Sequence, residues 1–212
     1  MLKEIGLNLY KCEKFKFSYI SSSFDEVKEF LFEKTRSNSL YKLICSSDSL
    51  NDFFGDEGRS PQVYNSNGRL KALFFKSQSA EGIVMISNVI DGWESLCFQL
   101  SKSIRGNIYI FHFDCSGSSD MFNGFSLLAD GINVRTVYAM KDPKWKFFEN
   151  GDSLWFEDRE CYKKRIISER VNKPILKKYC NSLNLNVEDD NFWRLDGESL
   201  LFGYTPSGTR PL

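Results

Sequence analysis

The sequence contains a single histidine, His112, and its six cysteines are scattered along the chain without a CxxC pair. Zinc sites, thiol–disulfide enzymes and Cys–His nucleophile pairs all need such residues at defined spacings. Glycine motifs of the GxxxxGK[ST] and GxGxxG types, which cradle phosphates, are also absent. We therefore predict no metal, no cofactor and cysteines that remain reduced thiols.

Net charge of either sign is lacking, since 28 basic residues balance 28 acidic ones. The chain therefore has no global attraction to nucleic acid or to anionic lipid. The longest apolar runs, such as IVMI and IYIF, are strand-sized, far below the ~20 residues that span a bilayer. The N-terminus also lacks the apolar stretch of a secretory signal. These absences predict a cytoplasmic protein with no membrane contact.

Direct nucleic-acid binding has one candidate segment, YKKRIISER at 162–170. Its basic residues are interrupted by Glu169 and follow closely on Asp158 and Glu160. Mixed charge of this kind is typical of a solvated helix face. We predict no direct contact with nucleic acid.

Large apolar residues are abundant, with 19 Phe and 42% hydrophobic residues, enough for a sizeable core. Ser23 and Glu26 have capping-box spacing and predict a helix over 24–36. Asp91 is predicted to cap a second helix that ends near Gly106. A strand or a pair of strands is predicted near 5–10 and 15–20.

The remaining strands are indicated by the segments RLKALFFK, EGIVMIS, NIYIFHFDCS and SLLFGYT. Apolar residues on both faces of 107–116 predict a strand in the middle of a sheet. Two turn dipeptides, Asp130-Gly131 and Asn150-Gly151, predict hairpins in a meander over 122–157. Residues 45–68 include fifteen Ser, Gly, Asp, Asn or Pro residues and read as loop. Residues 205–212 are predicted to be a disordered tail.

The C-terminal third is predicted to be helical. One helix begins at Asp158 and places Tyr162, Ile166, Ile167 and Val171 on its inner face. A second begins at Asn172, with Pro174 in its first turn, and continues to about 183. The predicted fold class is therefore α+β. It is a mainly antiparallel twisted sheet with a C-terminal β-meander and amphipathic helices packed on it, in a single domain over 1–212.

Catalytic chemistry has one possible location, around His112 and Asp114. The two residues share one face of their strand, whereas Cys115 lies on the other. No nucleophile is paired with His112 by sequence spacing. A carboxylate-dependent hydrolase at this location is our alternative to a protein that is not an enzyme.

Two segments are locally acidic and are candidate contacts for a basic protein. One contains Asp48, Asp52, Asp56 and Glu57, and the other contains Glu188, Asp189 and Asp190. A solvated loop and a helix N-terminus explain the same residues without any partner.

The segment KWKFFENGDSLWF at 144–156 is read as a hairpin that turns at Asn150-Gly151. In that hairpin Trp145, Phe147, Leu154 and Phe156 share a core face, and Lys146 lies across from Trp155. Phe148 and Trp155 remain on the other face. They are either covered by a helix or presented to a partner, where Trp is a frequent anchor.

Three consecutive segments carry a family resemblance: GFSLLADGINVRTVYAMKD, KWKFFENGDSLWFED and YKKRIISERVNKPILKKYCNSLNLNVEDDNFW. Over about residues 90–195 the chain resembles immunity proteins of bacterial contact-dependent growth inhibition and related polymorphic toxin systems. The matching positions are structural: Trp145, Gly151, Phe156, Glu157, Tyr162, Arg165, Phe192 and Trp193. The first 80 residues carry no resemblance.

The resemblance implies a cytoplasmic protein that binds and neutralises a cognate toxin domain by occluding its active site. That toxin domain is the C-terminal part of a large secreted protein, and many such toxins are nucleases acting in the cytosol. No catalytic residues are implied. A non-catalytic scaffolding or interaction module is a further alternative.

Overall fold

The computed structural model describes residues 8–46, 53, 70–89 and 91–204. The strands of these residues form one antiparallel sheet with the order β2-β9-β3-β4-β1-β5-β6-β7-β8. Their bounds are β1 Lys14–Ile20, β2 Tyr41–Ser46, β3 Leu70–Ser77, β4 Ile83–Ser87, β5 Ile108–Asp114, β6 Phe122–Ala129, β7 Ile132–Lys141, β8 Trp145–Asn150 and β9 Leu195–Tyr204.

The helices are α1 Phe24–Ser37, α2 Glu94–Ser101, α3 Arg159–Tyr162 and α4 Lys173–Ser182. Short 3₁₀ turns occupy Leu9–Lys11, Ile167–Glu169 and Asp190–Trp193. The chain is therefore α+β with a mainly antiparallel sheet, which confirms the predicted fold class. The single domain over 1–212 stays a prediction, because parts of that range lie outside the described residues.

Each face of the sheet carries its own core. Alternation along β1 and β5 sends Phe15, Phe17, Phe111 and Phe113 to one face, where Trp193 and α4 pack on them. We call this the α4 face. Ile20, Ile108 and Ile110 lie on the opposite face under α1 and α2, which we call the α1–α2 face. Because both faces of the central strands are covered, the apolar run in β5 is continuous, as predicted.

Local signals located several elements correctly. The side chain of Ser23 accepts a hydrogen bond from the N–H of Glu26 at the start of α1. The side chain of Asn172 accepts one from Ile175 at the start of α4. The Asp130-Gly131 turn joins β6 to β7, with both residues at positive φ. Cap and turn chemistry therefore identified these termini from sequence alone.

Four boundaries differ from prediction. Residues 9–11 form a 3₁₀ turn, not a strand. Residues 45 and 46 end β2, whereas the loop was predicted to begin at 45. Asp91 accepts a hydrogen bond from the N–H of Trp93 but does not cap α2, which follows Trp93 at φ 61° and ends at Ser101. A left-handed residue before Glu94 moves the helix start downstream.

The helix predicted over 158–171 is interrupted after one turn. Ile166 is extended and 53% exposed, so it does not belong to an inner face. The Arg170 side chain donates to the carbonyl of Lys164 at 2.7 Å, a group that a continuous helix would use internally. Tyr162 and Val171 are buried as predicted, whereas Arg165 is exposed.

The hairpin predicted at Asn150-Gly151 is wrong. β8 pairs with β7 through the turn at 142–144, and Lys146 lies across from Met140 and not from Trp155. After Asn150 the chain leaves the sheet, and Arg135 Nη1 binds the carbonyls of Asn150 and Gly151. Residues 151–157 therefore form a loop without strand pairing. The predicted disordered tail at 205–212 lies outside the described residues.

Candidate functional site

The two predicted acidic patches have different outcomes. Asp48, Asp52, Asp56 and Glu57 lie outside the described residues. Their role as partner contacts stays a prediction.

The second acidic patch is largely neutralised by the protein's own lysines. Glu188 forms an ion pair with Lys177 at 2.7 Å, and Asp190 forms one with Lys11 at 3.0 Å. Hydrogen bonds from Asn8 and Lys11 lower the pKa of Asp190. Asp189 accepts a hydrogen bond from the N–H of Asn191 and caps a 3₁₀ turn. These contacts hold the N-terminal segment against the C-terminal one and give the acids a structural role.

Phe148 is 44% exposed and belongs to a continuous row of rings. His112, Phe122, Tyr138 and Phe148 lie on the neighbouring strands β5, β6, β7 and β8, and each adjacent pair of ring centroids is 5.1 Å apart. We call these four side chains the ring row. Register places it on the α1–α2 face, with buried His112 beside α2 and exposed Phe148 on the edge strand β8. Sequence analysis identified Phe148 but missed the row, because its members are distant in sequence.

Trp155 is 77% exposed and projects from the loop at 151–157. Its neighbour Phe156 is buried in the α4-face core, where it contacts Phe125 and Tyr179. The alternation of a hairpin is absent here, yet Phe156 belongs to the core as predicted, and of the two alternatives for Trp155 the structure shows the exposed one. Phe148 and Trp155 do not share a face, since the loop is fastened to the α4 face.

A buried ion network fixes this loop. Arg135 lies on the α4 face of β7 with its side chain 1% exposed, and it binds both Glu157 oxygens at 2.9 and 2.7 Å. Glu149 accepts a further bond from Arg135 at 2.8 Å. The Gly151 carbonyl accepts one from Nη1 at 2.7 Å. A bidentate Arg–carboxylate pair of this kind sets both distance and orientation.

Glu157 connects the network to both ends of the loop. Its carboxylate also accepts bonds from the Leu154 N–H and the Tyr162 hydroxyl, each at 2.8 Å. Tyr179 donates its hydroxyl to that of Tyr162. Burial opposes the Arg135 charge, but the hydrogen bonds and charges of the two glutamates outweigh it and raise the pKa of Arg135. Residues 154 and 156 are thus held on either side of Trp155, which leaves the indole presented on a fixed backbone.

The predicted hydrolase location contains a different arrangement from a catalytic triad. His112 Nε2 lies 3.3 Å from Glu94 Oε1 on α2, a partner that sequence spacing did not indicate. Nδ1 of His112 is buried and has no hydrogen-bond partner. Burial lowers the pKa of His112, although Glu94 opposes that shift. The imidazole is therefore a covered group with one nitrogen unpartnered.

Asp114 shares the face of His112, as predicted, but it bonds to other residues. It forms an ion pair with Lys14 at 3.1 Å and accepts bonds from the N–H and hydroxyl of Ser116. Burial opposes its charge, but these donors outweigh burial and lower the pKa of Asp114. Cys115 is exposed and its thiol contacts the Glu13 carbonyl. The structure thus brings His112 together with Glu94 and directs Asp114 towards Lys14.

Within the described ranges, no group of three or more His, Cys, Asp or Glu side chains is arranged to hold a metal ion. All six cysteines are free thiols. No helix among the described residues is long and apolar enough to cross a membrane.

Comparison of this chain with known protein families, with curated proteins and with solved structures finds no match.

Proposed function

We propose that this protein binds a protein partner through the Trp155 loop, and that the partner is a cognate toxin domain whose active site it occludes. The observation that carries the proposal is the indole of Trp155, left 77% exposed on a loop held by buried ion pairs. Tryptophan is among the residues most often found as binding anchors. An anchor whose backbone is already fixed loses little conformational entropy on binding.

The sequence resemblance over about residues 90–195 supplies the identity of the partner in this proposal. It supports a bacterial immunity protein that resides in the cytoplasm and neutralises a toxin acting there, with a nuclease as the expected activity. The partner is then the C-terminal domain of a large secreted protein encoded beside this chain. Neither a cofactor nor catalysis by this protein is part of the proposal.

The test is the affinity of the purified protein for that C-terminal domain, measured by calorimetry. Trp155→Ala is expected to weaken binding at least ~30-fold, since anchors typically cost ~2 kcal/mol or more on truncation. Ile44→Ala is the matched control, because Ile44 is 39% exposed on β2, at the opposite edge of the sheet from β8. It is expected to bind as the unmodified protein does. Equal affinities for both variants would contradict the role of Trp155.

A second candidate function, a carboxylate-dependent hydrolase, is favoured by one observation, the contact between His112 and Glu94. A carboxylate that holds an imidazole is a common general-base arrangement. Generic phosphoester and ester substrates test it against His112→Asn and Glu94→Gln, the two members of that contact. Turnover by the unmodified protein that both variants abolish would replace the binding proposal with this one. Binding without turnover would leave a toxin inhibitor or a scaffolding module, which inhibition of the toxin then distinguishes.

A further inference from the structure

The outer edge of β8 is open. β8 is the last strand of the sheet, and in the part of the chain that the structure describes no strand pairs with it on the side away from β7. An unpaired row of backbone N–H and C=O groups is a template for another strand. The chemistry of this edge therefore specifies an extended chain as its occupant.

The direction of backbone hydrogen bonds alternates along each strand, and this alternation shows which N–H and C=O groups of β8 face the outer edge. The N–H of Lys141 donates to the carbonyl of Met121 at 2.9 Å, so Lys141 points towards β6. Sides alternate along a strand, so Met140 and Tyr138 point towards β8, where they pair with Lys146 and Phe148.

The intervening residues of β8 consequently point outwards. These are Trp145, Phe147 and Glu149, and each offers one N–H and one C=O at the edge. The 3₁₀ turn Ile167–Glu169 contacts both β7 and β8, which places it over the α4 face and not along the edge. The Arg170 guanidinium nearby lies over the Phe147 ring at 5.3 Å.

We infer that β8 pairs antiparallel with β8 of a second copy of this chain, about a two-fold axis at Phe147. In this register Phe147 meets Phe147 of the other copy, and Trp145 meets Glu149. Every outward backbone group then finds a partner. Lys146 lies across from Phe148 of the other copy, where an ammonium can contact the exposed ring. Each of these pairs except the central one occurs twice by symmetry.

Neighbouring registers are less favourable. A shift that centres the axis on Lys146 places the two Lys146 ammonium groups opposite each other, and directly opposed like charges destabilise a strand pair. A shift that centres it on Phe148 sets Trp145 opposite Gly151, which has left the strand at φ 82°. The Phe147-centred register alone satisfies the edge without a charge conflict. It also extends the sheet across the dimer, with the Phe148 end of each ring row facing Lys146 of the other copy.

The inference does not rest on the proposed toxin, and its test contains none. Sedimentation equilibrium of the purified full chain should show a concentration-dependent dimer. Phe148→Lys places a second ammonium across from Lys146 of the other copy at two symmetric positions, so the dissociation constant should rise about tenfold. Adding Lys146→Glu to that variant converts the repulsion into two ion pairs and should restore the dimer. The rescue is expected only in the Phe147-centred register, because that register places residue 146 across from residue 148 of the other copy.

A backbone test complements the charge test. Glu149→Pro removes an outward N–H without removing a bond to β7, whereas Glu149→Gln retains that N–H. The proline variant should weaken the dimer at least ~tenfold relative to the glutamine control, because a ladder bond is lost at two positions. Thermal unfolding of each variant establishes that it is folded. A monomer at all concentrations up to ~1 mM, or a dimer insensitive to Phe148→Lys, would overturn the inference.

Discussion

Replacing Arg135 with Met tests whether the buried ion network holds the Trp155 loop. The substitution removes a cation whose side chain is 1% exposed and leaves the Glu157 carboxylate, 0% exposed, without its partner. Methionine fills a similar volume, so the loss comes from charge and hydrogen bonding more than from a cavity. The bonds to the Gly151 and Asn150 carbonyls are lost as well.

The magnitude follows from the geometry. Removing one member of a buried, hydrogen-bonded ion pair typically costs about 3–5 kcal/mol. In a chain of this size that corresponds to a fall in the melting temperature of roughly 10 °C. Urea unfolding followed by tryptophan fluorescence gives the free energy directly, provided the slope with urea is unchanged. Arg159→Met is the matched control, because Arg159 is exposed, and it should change stability by less than ~0.5 kcal/mol.

Glu157→Gln completes the test as a double-mutant cycle. Glutamine carries no charge to pair with Arg135, and its single amide oxygen can accept only one of the bonds that Leu154 and Tyr162 donate to the two carboxylate oxygens. The combined variant should lose less than the sum of the two single losses, because each single change leaves the other charge buried and unpaired. A loss below ~1 kcal/mol for Arg135→Met, or strict additivity, would refute the reasoning.

Three further predictions follow from other contacts. Gly124→Ala should destabilise the fold by about 1–3 kcal/mol in urea unfolding, because a Cβ there would lie 2.6 Å from the Cβ of Tyr138. Stability should fall as the pH drops below ~6.5, since burial lowers the pKa of His112 and the unfolded chain then binds the proton more readily. His112→Gln should make the free energy of unfolding less dependent on pH below ~6.5. An unchanged pH dependence in this variant would contradict the assignment to His112. A thiol reagent should modify Cys45 and Cys115 rapidly in the folded protein, as only these two cysteines are exposed; rapid labelling of more than two would refute the described packing.

Elements specified by local chemistry were predictable from sequence. The Ser23 cap, the Asn172 cap and the Asp130-Gly131 turn each depend on residues within a few positions of one another. The central position of β5 was predictable because apolar residues on both faces require cover on both faces. These features need no knowledge of distant contacts.

Elements decided by distant contacts were not predictable. Asn150-Gly151 has a strong hairpin sequence, but the chain leaves the sheet there and Arg135 binds the carbonyls of both residues. The Lys164 carbonyl accepts a hydrogen bond from the Arg170 side chain in place of the backbone bond of a continuous helix. Arg135 is distant in sequence from its turn, whereas Arg170 lies only six residues after Lys164, and in both cases an arginine contact overrode the propensity of the local motif.

The candidate site likewise has features that were predictable from sequence and features that depend on the folded chain. That Trp155 and Phe148 are surplus to an alternating core face was predictable, whereas their exposure was one of two open alternatives. Their separation onto different faces was not predictable, since it depends on the loop that replaces the hairpin. The partners of Glu188 and Asp190 were also hidden, because Lys177 and Lys11 approach them only in the folded chain.

The most direct measurement is the activity of the proposed partner, a C-terminal toxin domain, as the protein is titrated into it. We predict that this activity falls to background at one equivalent, and that Trp155→Ala shifts the titration to excess protein. Full toxin activity in the presence of a large excess of the unmodified protein would contradict the proposed function.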